Sequence, residues 1–241
     1  MFYAEPEGVD AENGKITISR EDSRHLAGPL RLRRGDIVVV GDGEGSLFRA
    51  RLISVSLERA VGSILSIEKV KKEAPAVMLL QSVGKVSKMD GVLVGAAESG
   101  VESVVPLVSS RSPSGSMERS VARLPRWRKK ARESSRLSRR AWPLEVKYPR
   151  LLSPWAPAPP GSLVLVLWEK EKEVGLGDLL PDDPPGAVMI AVGPEGGFSP
   201  DEIQHLKGAG ALTVRLGPLN IRTESAGIYA AMIVRHRYGL L

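Results

Sequence analysis

A glycine-rich loop between an apolar run and the start of a helix is the part of this sequence best suited to bind a ligand. The apolar run at 187–192 has the length of a buried strand, and Gly-Pro-Glu-Gly-Gly at 193–197 can turn sharply because glycine lacks a Cβ. Ser199, Pro200 and Glu202 then have the spacing of an N-cap, a first helical residue and a capping-box partner. The unpaired N–H groups of such a loop would face a ligand, although a tight turn without any ligand fits the composition equally well.

Arg222 is the charged residue with the most unusual predicted setting. Residues 221–226 open the last predicted helix, where the macrodipole opposes a cation by up to about 1 kcal/mol at an exposed site. The charge could stabilise negative charge on a ligand, or it could form a salt bridge with Glu224 or another carboxylate. Because Leu216 and Gly217 follow another apolar run, a second glycine loop is expected at the same sheet edge, and one shared pocket is predicted.

Composition excludes several kinds of protein and site. The chain has 241 residues and no cysteine, which excludes disulfides, thiolate zinc sites and cysteine nucleophiles and favours a reducing, intracellular setting. No apolar run reaches the roughly 18 residues of a membrane span. Residues 1–14 lack the charged-then-apolar pattern of a signal peptide, so a cytoplasmic protein is expected. His25, His205 and His236 lack metal-ligand spacing, so no metal site is expected. A Walker loop, G-x-G-x-x-G and G-x-S-x-G are also absent.

The positive charge is concentrated in one segment. Residues 1–73 contain 12 lysines and arginines against 12 acidic residues, whereas residues 111–150 contain 13 against 3, in a chain of net charge +6. Such a segment attracts phosphate groups and makes nucleic acid the first partner to consider; the alternative is a solvated helix face with a basic bias. A smaller basic cluster precedes a predicted strand and contains Arg24, His25, Arg31, Arg33 and Arg34. It could contact RNA, or it could be a surface loop with no binding function.

The apolar pattern changes near residue 73 and predicts two domains. Residues 1–73 have the short alternating strands of a small all-β barrel, with strands at 15–18, 37–40 and 47–53 and a further pair within 55–70. From residue 74 strands and helices alternate, which predicts an α/β domain with a mostly parallel sheet and helices on both faces. Its strands are expected at 76–81, 101–108, 163–168, 187–192 and 211–216, and its helices at 86–97, 117–140 and 221–236. The proline-rich stretch 154–160 is interpreted as a surface loop rather than a domain linker.

The glycine loops and the arginine segment closely resemble motifs of a known enzyme family. Gly-Pro-Glu-Gly-Gly-Phe-Ser at 193–199, Leu-Gly at 216–217 and Arg-Thr-Glu-Ser-Ala at 222–226 are similar to the G-P-E-G-G-F-S and L-G…R-T-E-T-A motifs of the ribosomal RNA small subunit methyltransferase E family. That family belongs to the SPOUT class of knotted methyltransferases. The resemblance extends over nearly the whole chain, because it includes Arg24-His25, Lys88-Met89-Asp90 and Arg126-Trp127.

The resemblance implies a PUA-like β-barrel RNA-binding domain at 1–73 and a SPOUT methyltransferase domain with a C-terminal trefoil knot at 74–241. It also implies a homodimer that uses S-adenosylmethionine to methylate N3 of a uridine in 16S ribosomal RNA of the small subunit. The cofactor-binding residues it implies are Leu167, Val192, Gly193, Pro194, Glu195, Gly196, Gly197, Leu216, Gly217, Ile221, Arg222, Thr223, Glu224 and Ala226. The RNA-binding residues expected are Arg24, His25, Arg31, Arg33, Arg34, Lys85, Lys88, Arg111, Arg126, Arg136 and Arg140.

Two residues are the catalytic candidates under this resemblance. Methyl transfer from a sulfonium is an in-line displacement, so the uracil N3 must be aligned and deprotonated. Arg222 would lie near the reacting base and stabilise its developing negative charge. Glu195 is the nearest motif carboxylate that could accept the proton, and a structural role bonding the N–H groups of the loop is an equal alternative.

The sequence departs from the family pattern at two polar positions. Leu219, followed by Asn220, stands where the family usually has an arginine, and Leu137 stands where a glutamine is usual. Both changes bear on rate and target identity more than on cofactor binding, because the glycine motifs are intact. They leave open a noncatalytic RNA-binding or assembly factor with the same fold, and a SPOUT methyltransferase for another RNA position.

Overall fold

The computed structural model describes residues 1–152 and 159–241, and these residues form two units. The first unit contains residues 1–72 and 135–143, and the second contains residues 73–134 and 144–241. Most of the proline-rich stretch that is predicted to be a surface loop falls at 153–158, outside the described residues.

Alternating apolar residues close the first unit into a five-stranded barrel. Its strands are β1 (Phe2–Asp10), β2 (Lys15–Ile18), β3 (Ile37–Gly41), β4 (Ser46–Val55) and β5 (Ala60–Lys69), in the order β1-β2-β5-β4-β3. Neighbouring strands are antiparallel except β1 and β3, which close the barrel in parallel through Phe2 and Val40. Because successive strand residues point to opposite sides, Ile16, Ile18 and Phe48 fill the interior. The predicted small barrel is confirmed.

The prediction that the barrel is all-β is wrong. Helix α1 (Arg20–Ala27) follows β2 and begins at Ser19, whose hydroxyl accepts a hydrogen bond from the N–H of Asp22 at 3.2 Å. This short helix contributes one buried apolar side chain, Leu26. A single buried apolar residue gives no helical periodicity, so the apolar pattern of the sequence does not predict this helix.

The prediction of a strand pair within 55–70 is also wrong, because these residues form one complete strand. Val55 ends β4, residues 56–59 form the turn, and β5 runs on unbroken to Lys69. Gly62 does not interrupt β5. Its backbone lies against Ala50, where an added Cβ would come within 2.9 Å of the Ala50 Cβ.

Residues 135–143 complete the first unit from a distant part of the sequence. The indole Nε1 of Trp142 donates to the carbonyl of Val70 at 2.9 Å. The guanidinium of Arg136 pairs with the largely buried carboxylate of Asp22 at 3.0 Å. The barrel unit therefore depends on two segments that lie far apart in the chain.

The second unit is built on a parallel sheet. Its strands are β6 (Ala76–Ser82), β7 (Ser103–Val108), β8 (Glu145–Val146), β9 (Arg150–Leu151), β10 (Ser162–Leu167), β11 (Ala187–Val192) and β12 (Leu212–Val214). The order is β12-β10-β11-β6-β7-β8, with β9 also paired to β7, and every pair is parallel. The predicted α/β sheet is confirmed, and the strand at 187–192 has the predicted limits.

The helices of this unit lie close to their predicted positions. They are α2 (Met89–Glu98), α3 (Ser116–Leu137), α4 (Pro200–Gly208) and α5 (Thr223–Arg237), and the last residues of α3 belong to the first unit. The segment Val86–Lys88, predicted as the start of a helix, is a 3-10 turn before α2. Gly100 follows α2 with φ of +74°, the left-handed conformation expected at a helix end.

Apolar clusters cover both faces of the parallel sheet. One contains Leu79, Leu93 and Trp127 with the inner sides of α2, α3 and α5, and the other contains Leu80 and Leu206 with α4. Adjacent residues of β6 thus enter different clusters, as the alternation of side chains along a strand requires. The trefoil knot stays a prediction. No helix in the described ranges is both long enough and apolar enough to cross a membrane.

Replacing Trp127 with alanine is expected to destabilise the second unit. Trp127 is 1% exposed in the cluster with α2 and α5, and loss of so large a buried side chain costs about 3–5 kcal/mol. Urea unfolding followed by circular dichroism measures the change. The neighbouring Arg126→Ala variant is the control, because the ion pair that it removes is largely exposed and contributes about 1 kcal/mol or less. Equal midpoints for the two variants would contradict the burial of Trp127.

Candidate active site

An open cavity of about 460 Å³ lies at the carboxyl ends of β10, β11 and β12. This is the edge where ligands bind in open α/β sheets. Most of the cofactor residues predicted from the sequence line it: Leu167, Val192, Gly193, Pro194, Glu195, Gly196, Gly197, Leu216, Gly217, Ile221, Thr223 and Ala226. Two predicted residues, Arg222 and Glu224, do not belong to this lining.

The glycine loop after β11 keeps its shape through close backbone approach and a capped helix. An added Cβ at Gly193 would come within 3.1 Å of the backbone nitrogen of Phe198, and Gly197 has φ of +68°. The predicted capping box opens α4: the hydroxyl of Ser199 accepts from the N–H of Glu202 at 3.2 Å, and the Glu202 carboxylate accepts from the N–H of Ser199 at 2.8 Å. The loop is therefore fixed at both ends.

The second loop contributes glycine and aliphatic residues to the opposite wall. Gly217 has φ of +143°, a conformation that favours glycine. Leu219, the departure from the family motif, also lines the cavity and is 80% exposed. At position 219 this wall therefore presents an apolar side chain instead of the charged one that the family motif predicts.

Eight residues of the lining are absent from the predicted site: Trp168, Glu169, Glu171, Val214, Arg215, Pro218, Leu219 and Asn220. Glu171 accepts a hydrogen bond from the hydroxyl of Thr213 at 2.7 Å, and this bond, with two backbone N–H groups, lowers the pKa of the Glu171 carboxyl. The Nε of Arg215 is buried without a hydrogen-bond partner in the described part of the chain. The signal that could have found Trp168, Glu169 and Glu171 is their position directly after a parallel strand.

Lys88 connects the glycine loop to the start of α5. Its Nζ lies 3.3 Å from Oε1 of Glu195 and 3.1 Å from Oε2 of Glu224. The hydrogen bond to Glu224, followed by that to Glu195, raises the pKa of Lys88. Gly84 leaves room for this arrangement, since an added Cβ there would clash with the Glu195 carboxylate. We call Lys88, Glu195 and Glu224 the charge clamp.

The contacts of Glu195 favour a structural role over proton transfer. Burial acts to raise the pKa of its carboxyl, but hydrogen bonds from its own N–H, from Lys88 and from the N–H of Lys85 outweigh it and leave the pKa lowered. A carboxylate held in its ionised form is a weak proton acceptor. Of the two sequence-based alternatives, fastening of the loop therefore fits the geometry better.

A smaller cavity of about 20 Å³ lies beside the charge clamp and shares Glu195 and Thr223 with the large one. Gln81 and Ser82 line it from the end of β6, and both are buried. In the described part of the chain, Oε1 of Gln81 and Oγ of Ser82 have no hydrogen-bond partner. The space suits one water molecule, which needs about 10–15 Å³ and polar partners.

Arg222 is exposed at the N-cap of α5, before the first helical residue. Within residues 1–152 and 159–241 its guanidinium makes no hydrogen bond or ion pair. The predicted alternative partner, Glu224, pairs with Lys88 instead. Its neighbours Ile221 and Thr223 line the cavity, so residue 222 lies beside it, and the charge of Arg222 helps to lower the pKa of the Glu224 carboxyl.

The predicted RNA-binding residues of the first unit divide into exposed and internally bonded groups. Arg31, Arg33 and Arg34 are exposed in the loop before β3, whereas Arg24 lies 3.7 Å from a carboxylate oxygen of Glu58. The remaining three have less freedom: His25 is half-buried, Arg136 is bound to Asp22, and Arg140 donates to the carbonyl of Trp142 at 3.0 Å.

The predicted RNA-binding residues of the second unit divide in the same way. Lys85 is exposed, and Lys88 belongs to the charge clamp. Arg126 is exposed but pairs with Asp90 at 2.6 Å. Arg111 donates to the carbonyl of Gly196 at 2.5 Å and so touches the glycine loop itself. The residue types alone did not separate these roles.

No group of three or more histidine, aspartate or glutamate side chains in the described ranges is placed to hold a metal ion.

Comparison with known proteins identifies the class and then the family. A model of an RNA methyltransferase domain matches residues 71–235, and a model of an RNA methyltransferase PUA domain matches residues 18–65. The barrel, the parallel sheet and its cavity thus define an RNA methyltransferase with a PUA domain.

The relatives narrow this class. The ribosomal RNA small subunit methyltransferase E of Mycobacterium bovis is 31% identical over 236 residues, which cover 95% of this chain and 88% of that protein. The Aquifex aeolicus protein of the same name is 30% identical over 226 residues, which cover 84% of this chain and 95% of that protein. The Neisseria gonorrhoeae enzyme of that name was solved bound to S-adenosyl methionine. It superposes with a TM-score of 0.85 at 29% identity, and the match covers 98% of this chain and 96% of that one. The chain belongs to the ribosomal RNA small subunit methyltransferase E family.

The charge clamp is expected to give Lys88→Met a pH-dependent cost in stability. The pKa values of Glu195 and Glu224 are lowered in the folded state, so their stabilising contribution is present above about pH 4.5 and is lost as the pH falls through the folded pKa values. Thermal unfolding should therefore show a larger loss for Lys88→Met at pH 7 than at pH 3. Lys85→Met is the matched control, since that side chain is exposed. Equal losses for Lys88→Met at both pH values would contradict the clamp.

Proposed function

We propose that this chain is an S-adenosylmethionine-dependent methyltransferase that methylates N3 of a specific uridine in 16S ribosomal RNA of the small subunit. The observation that carries the proposal is the cavity at the carboxyl ends of β10 to β12, formed by three loops in a member of this family. The solved Neisseria gonorrhoeae relative, which binds S-adenosyl methionine, supports the choice of cofactor.

The cavity has the size and chemistry that the cofactor requires. Its volume falls in the range of about 300–1,000 Å³ typical of small-molecule sites. Leu167, Val192 and Ile221 offer apolar contacts for an adenine ring. Glu169 lines the cavity and would accept hydrogen bonds from hydroxyl or ammonium groups. The glycine loops add backbone N–H groups.

The bound cofactor would supply an electrophilic methyl group on a sulfonium. The residues of this chain would align it with the uracil, because an in-line displacement depends on the distance and angle of the reacting atoms. The uracil N3 would give up its proton to solvent water, and the N3–C bond would form as the S–C bond breaks and leaves a neutral thioether. Arg222, at the N-cap of α5 and without a hydrogen bond or ion pair in the described ranges, would stabilise the negative charge on the uracil.

The proposal includes a homodimer that acts on the small ribosomal subunit in the cytoplasm. An exposed apolar row on α5 supports self-association, because Tyr229 is 51% exposed and Met232 and Ile233 lie on the same helix with exposed fractions of 42% and 39%. Apolar rows of this kind commonly mark protein interfaces.

A noncatalytic RNA-binding factor is the second candidate, and the leucine at position 219 favours it. An arginine in the family motif is replaced there by an apolar side chain that lines the cavity. Saturable binding of S-adenosylmethionine with methyl transfer to an unmethylated small subunit supports the enzyme. RNA binding without any affinity for the cofactor would instead identify the factor.

Arg222→Ala is expected to lower kcat by about 10²- to 10³-fold, the range seen when one charge-stabilising group is removed. The affinity for S-adenosylmethionine should stay nearly unchanged, because the side chain is not part of the cavity lining. Methylation of unmethylated small subunits, with mapping of the modified nucleotide, measures the rate and the target together. A variant as active as the wild type would remove Arg222 from catalysis.

Gly197→Ala is expected to weaken S-adenosylmethionine binding by about tenfold, since a misplaced binding group commonly costs that much or more. The residue has φ of +68°, and an added Cβ would come within 2.7 Å of the Glu169 carboxylate. Isothermal titration calorimetry measures the dissociation constant. Gly208→Ala in α4 is the control, because no atom of the described residues lies within 4 Å of its Cβ position. Equal dissociation constants for the two variants would contradict the strained loop.

A further inference from the structure

The outer surface of the barrel carries exposed aliphatic and arginine side chains that the cavity does not use. We call Ile37 and Val39 of β3 and Arg49, Arg51 and Ile53 of β4 the β3–β4 face. Ile37 is 45% exposed and Val39 is 43% exposed. Both arginines are exposed, and neither guanidinium makes a hydrogen bond or ion pair within the described part of the chain.

The strand register places no acidic residue directly opposite either arginine, and Glu68, which is diagonal to Arg49 on β5, forms no ion pair with it in the described part of the chain. Across β3, Arg51 faces Ile37 and Arg49 faces Val39. Across β5, the same two arginines face Ser63 and Ser66. Cross-strand neighbours in exposed sheets often pair opposite charges, whereas here two arginines occupy alternate positions on one side of a strand, about 6.8 Å apart along the backbone. An anionic ligand would relieve their repulsion.

The loop before β3 extends the positive charge beyond the strands. The N–H of Gly35 donates to the carbonyl of Leu52 at 2.8 Å, and the N–H of Leu52 donates to the carbonyl of Asp36 at 2.8 Å. These bonds continue the β3–β4 pairing into the loop that carries the exposed Arg33 and Arg34. The carboxylate of Asp36, the acidic group in this loop, already accepts from the N–H of Arg33 at 2.7 Å.

We propose that the β3–β4 face binds the backbone of an RNA segment that is separate from the reacting nucleotide. Arg49 and Arg51 contact successive phosphates, and the aliphatic side chains pack against ribose and base faces. Arginine suits this task because its planar guanidinium binds phosphate oxygens in pairs. The proposal rests on the proposed function, since it takes RNA as the substrate, and it adds a second contact on the barrel unit alone.

A second copy of the chain fits this face less well than RNA does. A twofold contact presents the same patch from both copies, so the arginines of both copies would lie within one interface. Like charges brought together in an interface oppose association. Ile37 and Val39 each lie directly opposite one of these arginines, so a contact through the aliphatic side chains also brings the charges together.

The test compares RNA binding by the full chain and by Arg49→Gln/Arg51→Gln. Fluorescence anisotropy with a fluorescein-labelled single-stranded RNA of mixed sequence gives the affinity at several salt concentrations. The affinity should fall on the order of tenfold, and the slope of log affinity against log salt should flatten by about 1.4, the loss of two phosphate contacts at about 0.7 each. Arg20→Gln/Arg59→Gln removes the same charge from the same unit outside the β3–β4 face and should keep the wild-type slope.

Two further measurements separate the outcomes. Arg49→Lys/Arg51→Lys keeps both charges and should retain the salt slope even if the affinity falls, which a merely unfolded barrel would not do. Wild-type affinity and slope in the glutamine variant would overturn the proposal, as would loss of self-association in sedimentation with RNA binding unchanged. If the wild type bound no RNA at all, the proposed function would fail first. Wild-type S-adenosylmethionine affinity in the glutamine variant confirms that the cavity is untouched.

Discussion

The parallel pairing of the second sheet is the constraint on which the site depends. Every strand pair in it is parallel, so the strands end at one edge. Segments that are distant in sequence, after Leu167, Val192 and Val214, are thereby brought to the same place. Backbone hydrogen bonds fix this arrangement before any functional side chain contributes. The glycines then allow the three loops to approach one another and leave a cavity between them.

The charges around the cavity are unequal, and this bears on what it can bind. Glu169, Glu171 and Glu195 line it, whereas Arg215 is the one basic residue among the described lining residues. Lys88 neutralises Glu195 from outside the lining. The remaining negative charge suits a ligand that is a cation at its reactive centre, as a sulfonium is. Arg222, which has no hydrogen bond or ion pair among the residues that the structure describes, would suit the negative charge of the acceptor that we propose.

The sequence predicted the parts of the fold and site that depend on local chemistry. Ser199, Pro200 and Glu202 specify their helix start by residue type, and the run at 187–192 is long and apolar enough to be a buried strand. Helix α1 was not predictable, because with Leu26 as its single buried apolar side chain it lacks a periodic pattern. The roles of charged residues depended on tertiary pairing. The residue type of Arg136 predicts an RNA contact, whereas the structure shows that its guanidinium forms an ion pair with Asp22.

The placement of residues 135–143 in the barrel unit has a consequence for protein engineering. A fragment cut after the last barrel strand would lack Trp142, whose indole binds the carbonyl of Val70, and Arg136, which neutralises the largely buried Asp22. Such a fragment would expose the surface that these side chains cover and leave a carboxylate uncompensated. The barrel is therefore not a transplantable module, and any graft of it must carry a second, discontinuous piece of the chain.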